Sequence, residues 1–126
     1  RVDTFIGSHQ KDRVKMAVVP EGRGRLASTR FEVVSRFAEG YTLVRFSLET
    51  GRTHQIRVHC AYMGHPVVGD PVYGYKKQKF RLNGQLLHAF RLSLDHPKTG
   101  ERMTFEAPLP DYFERVLETL GKGGVV

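Results

Sequence analysis

A single cysteine, Cys60, occurs among the 126 residues. It excludes an internal disulfide and leaves no second thiolate for a zinc ribbon, so stability must come from packing. No apolar run approaches the roughly 18 residues of a membrane span, and the opening RVDTFIGSHQ lacks the basic, apolar, then small layout of a secretory signal. These absences point to the cytoplasm and away from a membrane. Internal repeats and low-complexity tracts are missing too, and 40% hydrophobic with 26% charged residues is the balance of a folded domain. The length suits one fold unit. The chain opens at Arg1 rather than Met and reads there like the middle of a protein, so a fragment is expected.

What the sequence has in excess is positive charge, +7 overall with a pI near 9.9. The first 30 residues carry seven Lys and Arg against three acids. Lys76, Lys77, Lys79 and Arg81 follow one another with no acid between, whereas residues 103–126 are net acidic. A basic surface interleaved with Phe, Tyr and His suits a polyanion, because phosphate contacts release counterions and aromatic faces stack on exposed bases. A solvated basic face would account for the same charges.

The patterning predicts an α+β domain with a mixed, mainly antiparallel sheet and flanking helices. Arg30–Phe37 and Tyr41–Leu48 are β-branched and aromatic around Ala38-Glu39-Gly40, which predicts a hairpin with Thr42, Val44, Phe46 and Leu48 facing inward. Leu86–Leu94 and Arg102–Glu106 form a second pair around a Pro- and Gly-containing turn. Phe113, Val116, Leu117 and Leu120 recur at helical spacing after Pro110 and before Gly121. Thr53–Met63 fits either a strand or a helix, and we take helix, with Thr53 as N-cap and Gly64 as its end. Arg57 then stands on one face with Cys60, Ala61 and Gly64, where a pocket has room to form. Two prolines make His65–Pro71 an extended connection, and residues 7–29, poor in apolar side chains, read as a mobile loop.

Six histidines invite a metal reading, but His54 and His59 are five apart and no glutamate completes a ligand motif, so neither metal nor cofactor is expected. Cys60 reads as a packing residue.

Leu48 to Gly74, LETGRTHQIRVHCAYMGHPVVGDPVYG, closely resembles the long motif of the RluA/RluD-type pseudouridine synthases. Ile6-Gly7-Ser8-His9 with DRVKMAV from Asp12 to Val18 is similar to the IGRHP and DRKKMAV segments of the large-subunit ribosomal branch, and Leu86–Pro110 resembles the family's closing strands. Ser8 and Gln10 replace an Arg and a Pro common in that family, which removes an arginine contact to RNA.

The resemblance implies part of the pseudouridine synthase catalytic fold, isomerisation of uridine in ribosomal RNA, and a named set of residues. The family's catalytic aspartate lies in an Arg-Leu-Asp motif upstream of a Lys-x-Tyr segment, and neither occurs here. Residues 1–126 thus correspond to the C-terminal part of a catalytic domain without its nucleophile, inactive alone. Arg57 would hold the missing carboxylate ionised, since arginine stays protonated and presents a planar fork of donors. Arg52, His54 and Gln55 would meet RNA or line the pocket, or else cap the helix internally. Leu86 or Leu87 would wall the uracil, or else belong to the core. Lys11, Arg13, Lys15, Lys76, Lys77 and Lys79 would contact RNA phosphates. The competing reading is a non-catalytic RNA-binding module on the same scaffold.

Overall fold

The computed structural model describes residues 1–12, 14–80 and 82–124. Four strands form one antiparallel sheet in the order β2-β1-β3-β4: β1 Val2–Ser8, β2 Met16–Val19, β3 Arg25–Arg36 and β4 Thr42–Leu48. Helix α1, Gln55–Tyr62, packs on β2 and β3. A separate ribbon pairs β5 Arg91–Asp95 with β6 Arg102–Glu106, and α2, Asp111–Lys122, follows it. The α+β class and the antiparallel pairing match the reading of the sequence.

Residues 7–29 are not a loop. β1 ends in them, and β2 and the start of β3 lie on either side of β1. The glycines that suggest mobility are there because the backbones come close: a Cβ on Gly7 would lie 2.7 Å from the Arg23 carbonyl oxygen, and one on Gly24 would lie 2.5 Å from that of Ile6. A glycine inside a strand marks such an approach as well as a weak point. The β1–β2 turn is pinned as well, with His9 Nδ1 accepting the backbone N–H groups of Lys11 and Asp12 at 3.1 and 3.0 Å.

The β3–β4 hairpin forms as expected, but its inward face does so only in part. A bulge between Val33 and Ser35 shifts the register, pairing Val33 with Val44 and Ser35 with Leu43. The extra residue lies in β3 and bends that strand, while the alternation of β4 is unbroken. Val44 and Phe46 of the expected inward face are half-buried, but Thr42 and Leu48 are exposed, and Tyr41 and Leu43 instead join a cluster with Phe37, Val116 and Leu120. In the second pair the strand starts only at Arg91, and Leu86–Phe90 runs beside the core without pairing. The connection from His65 to Pro71 is turned at Val68-Gly69 rather than extended throughout.

Two small cores result. Ile6, Ala27 and Val58 meet beneath α1, framed by Met16, Val18 and Tyr73. The cluster of Phe37, Val116 and Leu120, with Leu82 and Leu86, seats α2 on the hairpin turn. Each large apolar side chain fully buried in this way contributes about 1.5–3 kcal/mol.

Candidate functional site

Helix α1 starts one residue later than the spacing suggests, and with an unusual cap. His54, not Thr53, is the N-cap, in the left-handed region at φ 55° with no side-chain capping bond. Gly64, at φ 83°, ends the helix where expected because it takes a conformation that other residues resist. The helix buries side chains that are mostly polar: Gln55 and His59 meet the sheet, Arg57 meets the turn that follows the helix, and Val58 and Cys60 are buried with them.

Each of these polar groups is matched. Gln55 Oε1 accepts the Thr50 hydroxyl at 2.7 Å and the Arg52 N–H at 3.0 Å, and Nε2 donates to the Ser28 carbonyl at 3.0 Å and to Thr29 Oγ1 at 2.9 Å. Its side chain lies inside the protein with its bonds made internally. His59 is fully buried between Thr4 Oγ1, 2.7 Å from Nε2, and Thr29 Oγ1, 2.8 Å from Nδ1. Burial lowers its pKa, which keeps the ring neutral. The Cys60 thiol is pushed up to about 11 by burial, with Asp70 adding to the shift, so it is not a thiolate near neutral pH.

Arg57 is the centre of the arrangement. Nε donates to Asp70 Oδ2 and Nη2 to Asp70 Oδ1, both at 2.9 Å, in a two-point fork. The Arg57 side chain is 10% exposed and that of Asp70 0%. The expected open pocket of small residues is thus closed on this side by a carboxylate from the chain itself. Burial pushes the Asp70 carboxyl up, but the Arg57 guanidinium and the N–H groups of Tyr73 and Val72 outweigh it and hold the pKa below the ordinary value. The same pairing raises that of Arg57. Nη1 has no acceptor among the described residues, so the site offers one donor edge of a fixed cation.

The remaining candidates separate into two groups. Arg52 Nε donates to the Leu26 carbonyl at 2.8 Å, and His54 Nδ1 lies 2.8 Å from the Tyr73 hydroxyl, so both brace the site. Leu86 packs into the α2 core, and Leu87 is half-buried in the chain leading to the ribbon. Lys11, Lys76 and Lys77 are exposed and Lys15 half-buried. Lys79 is occupied, ion-paired with Glu39 and set over the Phe80 ring. Arg13 lies outside the described residues. Asp70 and Tyr73 were missed as site residues by the sequence reading. They lie just after α1, in the Gly-Asp-Pro-Val-Tyr-Gly turn.

Residues 2–62 match the RNA pseudouridylate synthase family. An uncharacterised RNA pseudouridine synthase of Bacillus subtilis, YlyB, is 50% identical over 98% of this chain and 39% of its own. The ribosomal large subunit pseudouridine synthase D of Nitrosomonas europaea is 44% identical over 94% of this chain and 36% of its own. Among solved structures, human RNA pseudouridylate synthase domain containing 1 superposes with a TM-score of 0.68 at 26% identity, over 94% of this chain and 57% of that one. The chain therefore spans well under half the length of these curated relatives.

Proposed function

We propose a function from one premise: the chain belongs to the RluA/RluD-type family of RNA pseudouridine synthases. It is the guanidinium-bearing, C-terminal part of a cytoplasmic enzyme that isomerises uridine to pseudouridine in large-subunit ribosomal RNA. The observation that carries this reading is the buried Arg57, held by Asp70 and keeping Nη1 for a second anion.

The reaction breaks the bond between ribose C1′ and uracil N1, turns the base and joins C1′ to C5; C5 then loses its proton and N1 takes one up, so that the product is an isomer. It needs an ionised carboxylate beside the ribose, in a site where burial favours protonation. A preorganised cation within reach opposes that protonation and costs no reorganisation during the reaction. Arg57 supplies it through Nη1 to an aspartate that another segment contributes. Asp70 does not substitute for that aspartate: Oδ1 already accepts from Arg57, Val72 and Tyr73, Oδ2 accepts from Arg57, and the side chain has no exposed surface to present to a ribose. Lys11, Lys15, Lys76 and Lys77 hold the RNA phosphates. The ribosomal substrate is supported by the Asp12–Val18 segment and by relatives named as acting on the large subunit.

The test is a chimera in which this chain replaces the matching segment of the Nitrosomonas europaea synthase. Pseudouridine is assayed in large-subunit RNA with the chimera and with the 126-residue chain alone. Turnover by the chimera and none by the chain is the expected result. Turnover by the chain alone would show a nucleophile within it. A folded chimera that binds RNA without turnover would favour the non-catalytic module.

A further inference from the structure

Tyr73 touches each part of the Arg57 site. Its ring lies beneath the guanidinium, with Cζ 5.2 Å from the ring centroid, and its backbone N–H donates to Asp70 Oδ1 at 3.1 Å. Its hydroxyl is fixed from two sides: it accepts the Met16 N–H at the start of β2 at 2.8 Å and is hydrogen-bonded to His54 Nδ1 at 2.8 Å. The His54 ring meets the Tyr73 ring edge-on at 5.5 Å. His54 is also the one non-glycine residue with positive φ among the described residues. Such backbone persists only where its surroundings over-determine it, and the bond to Tyr73 is the side-chain contact that does so here.

We infer that Tyr73 is a positioning residue for Arg57. Asp70 fixes the guanidinium through Nε and Nη2 but leaves it free to tilt out of the carboxylate plane. An aromatic face beneath the cation attracts it and removes that tilt. The hydroxyl locks the ring to β2 and to the N-cap of α1, so Nη1 keeps one direction. Tyr73 itself touches no reacting atom. The inference rests on the reading of Arg57 as a cation held for a second carboxylate.

Two measurements test it. The first uses the 126-residue chain and the NMR signals of the Arg57 guanidinium. A guanidinium held in one orientation shows separate Nη1 and Nη2 protons, and we expect these in the unaltered chain. Tyr73→Leu should merge them, and unchanged signals would overturn the inference. Should Tyr73→Leu not fold, His54→Gly decides, because glycine accepts the backbone of that position and removes the hydroxyl's side-chain partner. Broadened Nη signals in His54→Gly support the inference, and unchanged ones reject it. The second measurement uses the chimera. Tyr73→Phe, which keeps the ring and loses the hydroxyl, should lower kcat roughly tenfold at unchanged KM for RNA, the pattern of a group that matters only as the reaction proceeds. Full kcat, or a loss matched by an equal loss of RNA-binding-competent protein, would leave Tyr73 a purely structural residue. If the unaltered chimera shows no turnover, the functional reading has failed, and the guanidinium signals alone decide the role of Tyr73.

Discussion

The two helices bury opposite chemistries. α2 buries Phe113, Val116 and Leu120, the last two against Phe37 at the hairpin turn, and its exposed face is charged. α1 buries Gln55, Arg57 and His59 beside Val58 and Cys60. An apolar face is non-directional and tolerates small shifts, whereas a buried polar face is worth having only if every group finds its partner. Here no buried side-chain nitrogen or oxygen among the described residues is left unpaired. One helix attaches a structural unit, and the other holds charges at fixed positions.

The largest effect expected from breaking this contrast is at Arg57. Arg57→Ala leaves the Asp70 carboxylate buried and unpaired, and removing one partner of such a pair costs about 3–5 kcal/mol. Urea unfolding should show that loss for the single variant and a smaller one for Arg57→Ala with Asp70→Ala. In the chimera Arg57→Ala should also lower kcat by about a hundredfold or more, and Arg57→Lys should recover little, because an ammonium lacks the planar fork. A loss in the double variant equal to the sum of the losses in Arg57→Ala and Asp70→Ala would show that the pair is not coupled.

Next is the apolar counterpart. Leu120→Ala should destabilise by about 2–3 kcal/mol, the lower part of the range for such truncations, since half-buried Leu117 and Leu43 can close on the space. Its chimera should keep normal KM and kcat below the melting temperature, a separation that Arg57 variants do not show. Loss of kcat in folded Leu120→Ala would mean that the two regions are not independent.

Around α1, acid should act in two stages. Burial lowers the His59 pKa in the folded state, so the unfolded chain binds the extra proton first. The stability that the neutral ring contributes is present above the ordinary value of 6.5 and falls as the pH drops below it. Asp70 is also depressed, and its contribution is present above 3.8 and lost as the pH falls through its lower folded value. Melting temperature measured against pH should therefore decline first below about 6.5, and His59→Gln should flatten that first decline without removing the second.

The smallest effect lies on the surface. If Lys76 and Lys77 contact phosphates, changing each to Ala should flatten the log–log salt dependence of RNA binding by about 0.7. Lys79→Ala should change it less, because Glu39 already neutralises that ammonium. Equal slopes for all three would place the RNA elsewhere.

The same contrast decides what could be read in advance. α2 was legible because Phe113, Val116, Leu117 and Leu120 repeat with the period of a helix. α1 carries no such apolar stripe, and its limits rested on Gly64 and on the turn before it. β1 and β2 were missed because Thr4 faces inward to bond His59, and because Gly7 and Gly24 serve close packing where glycine usually signals a loop. The inner face of β4 was legible only in part, because Val44 and Phe46 are half-buried while Leu43, on the opposite face, is the one that packs against the α2 cluster. Arg57 was found through its motif. Its partners Asp70 and Tyr73 become visible only when the turn after α1 is folded back beneath it.

The ribbon of β5 and β6 pairs with no other strand among the described residues and leaves Leu92 60% and Phe105 52% exposed. Two strands alone are marginal in water. Their hydrogen bonds are closed by exposed contacts, Arg91 with Glu106, Ser93 with Thr104 and Arg102 with Asp95. Amide protons of the ribbon should then exchange with solvent through local opening, at free energies far below that of the whole chain. The amides of β1 and β3 that flank His59 should exchange only when the domain unfolds. The molecule thus has a graded resistance to solvent, lowest at the ribbon and highest at the histidine clamp, so that one end can open and reclose while the charges around Arg57 stay in register.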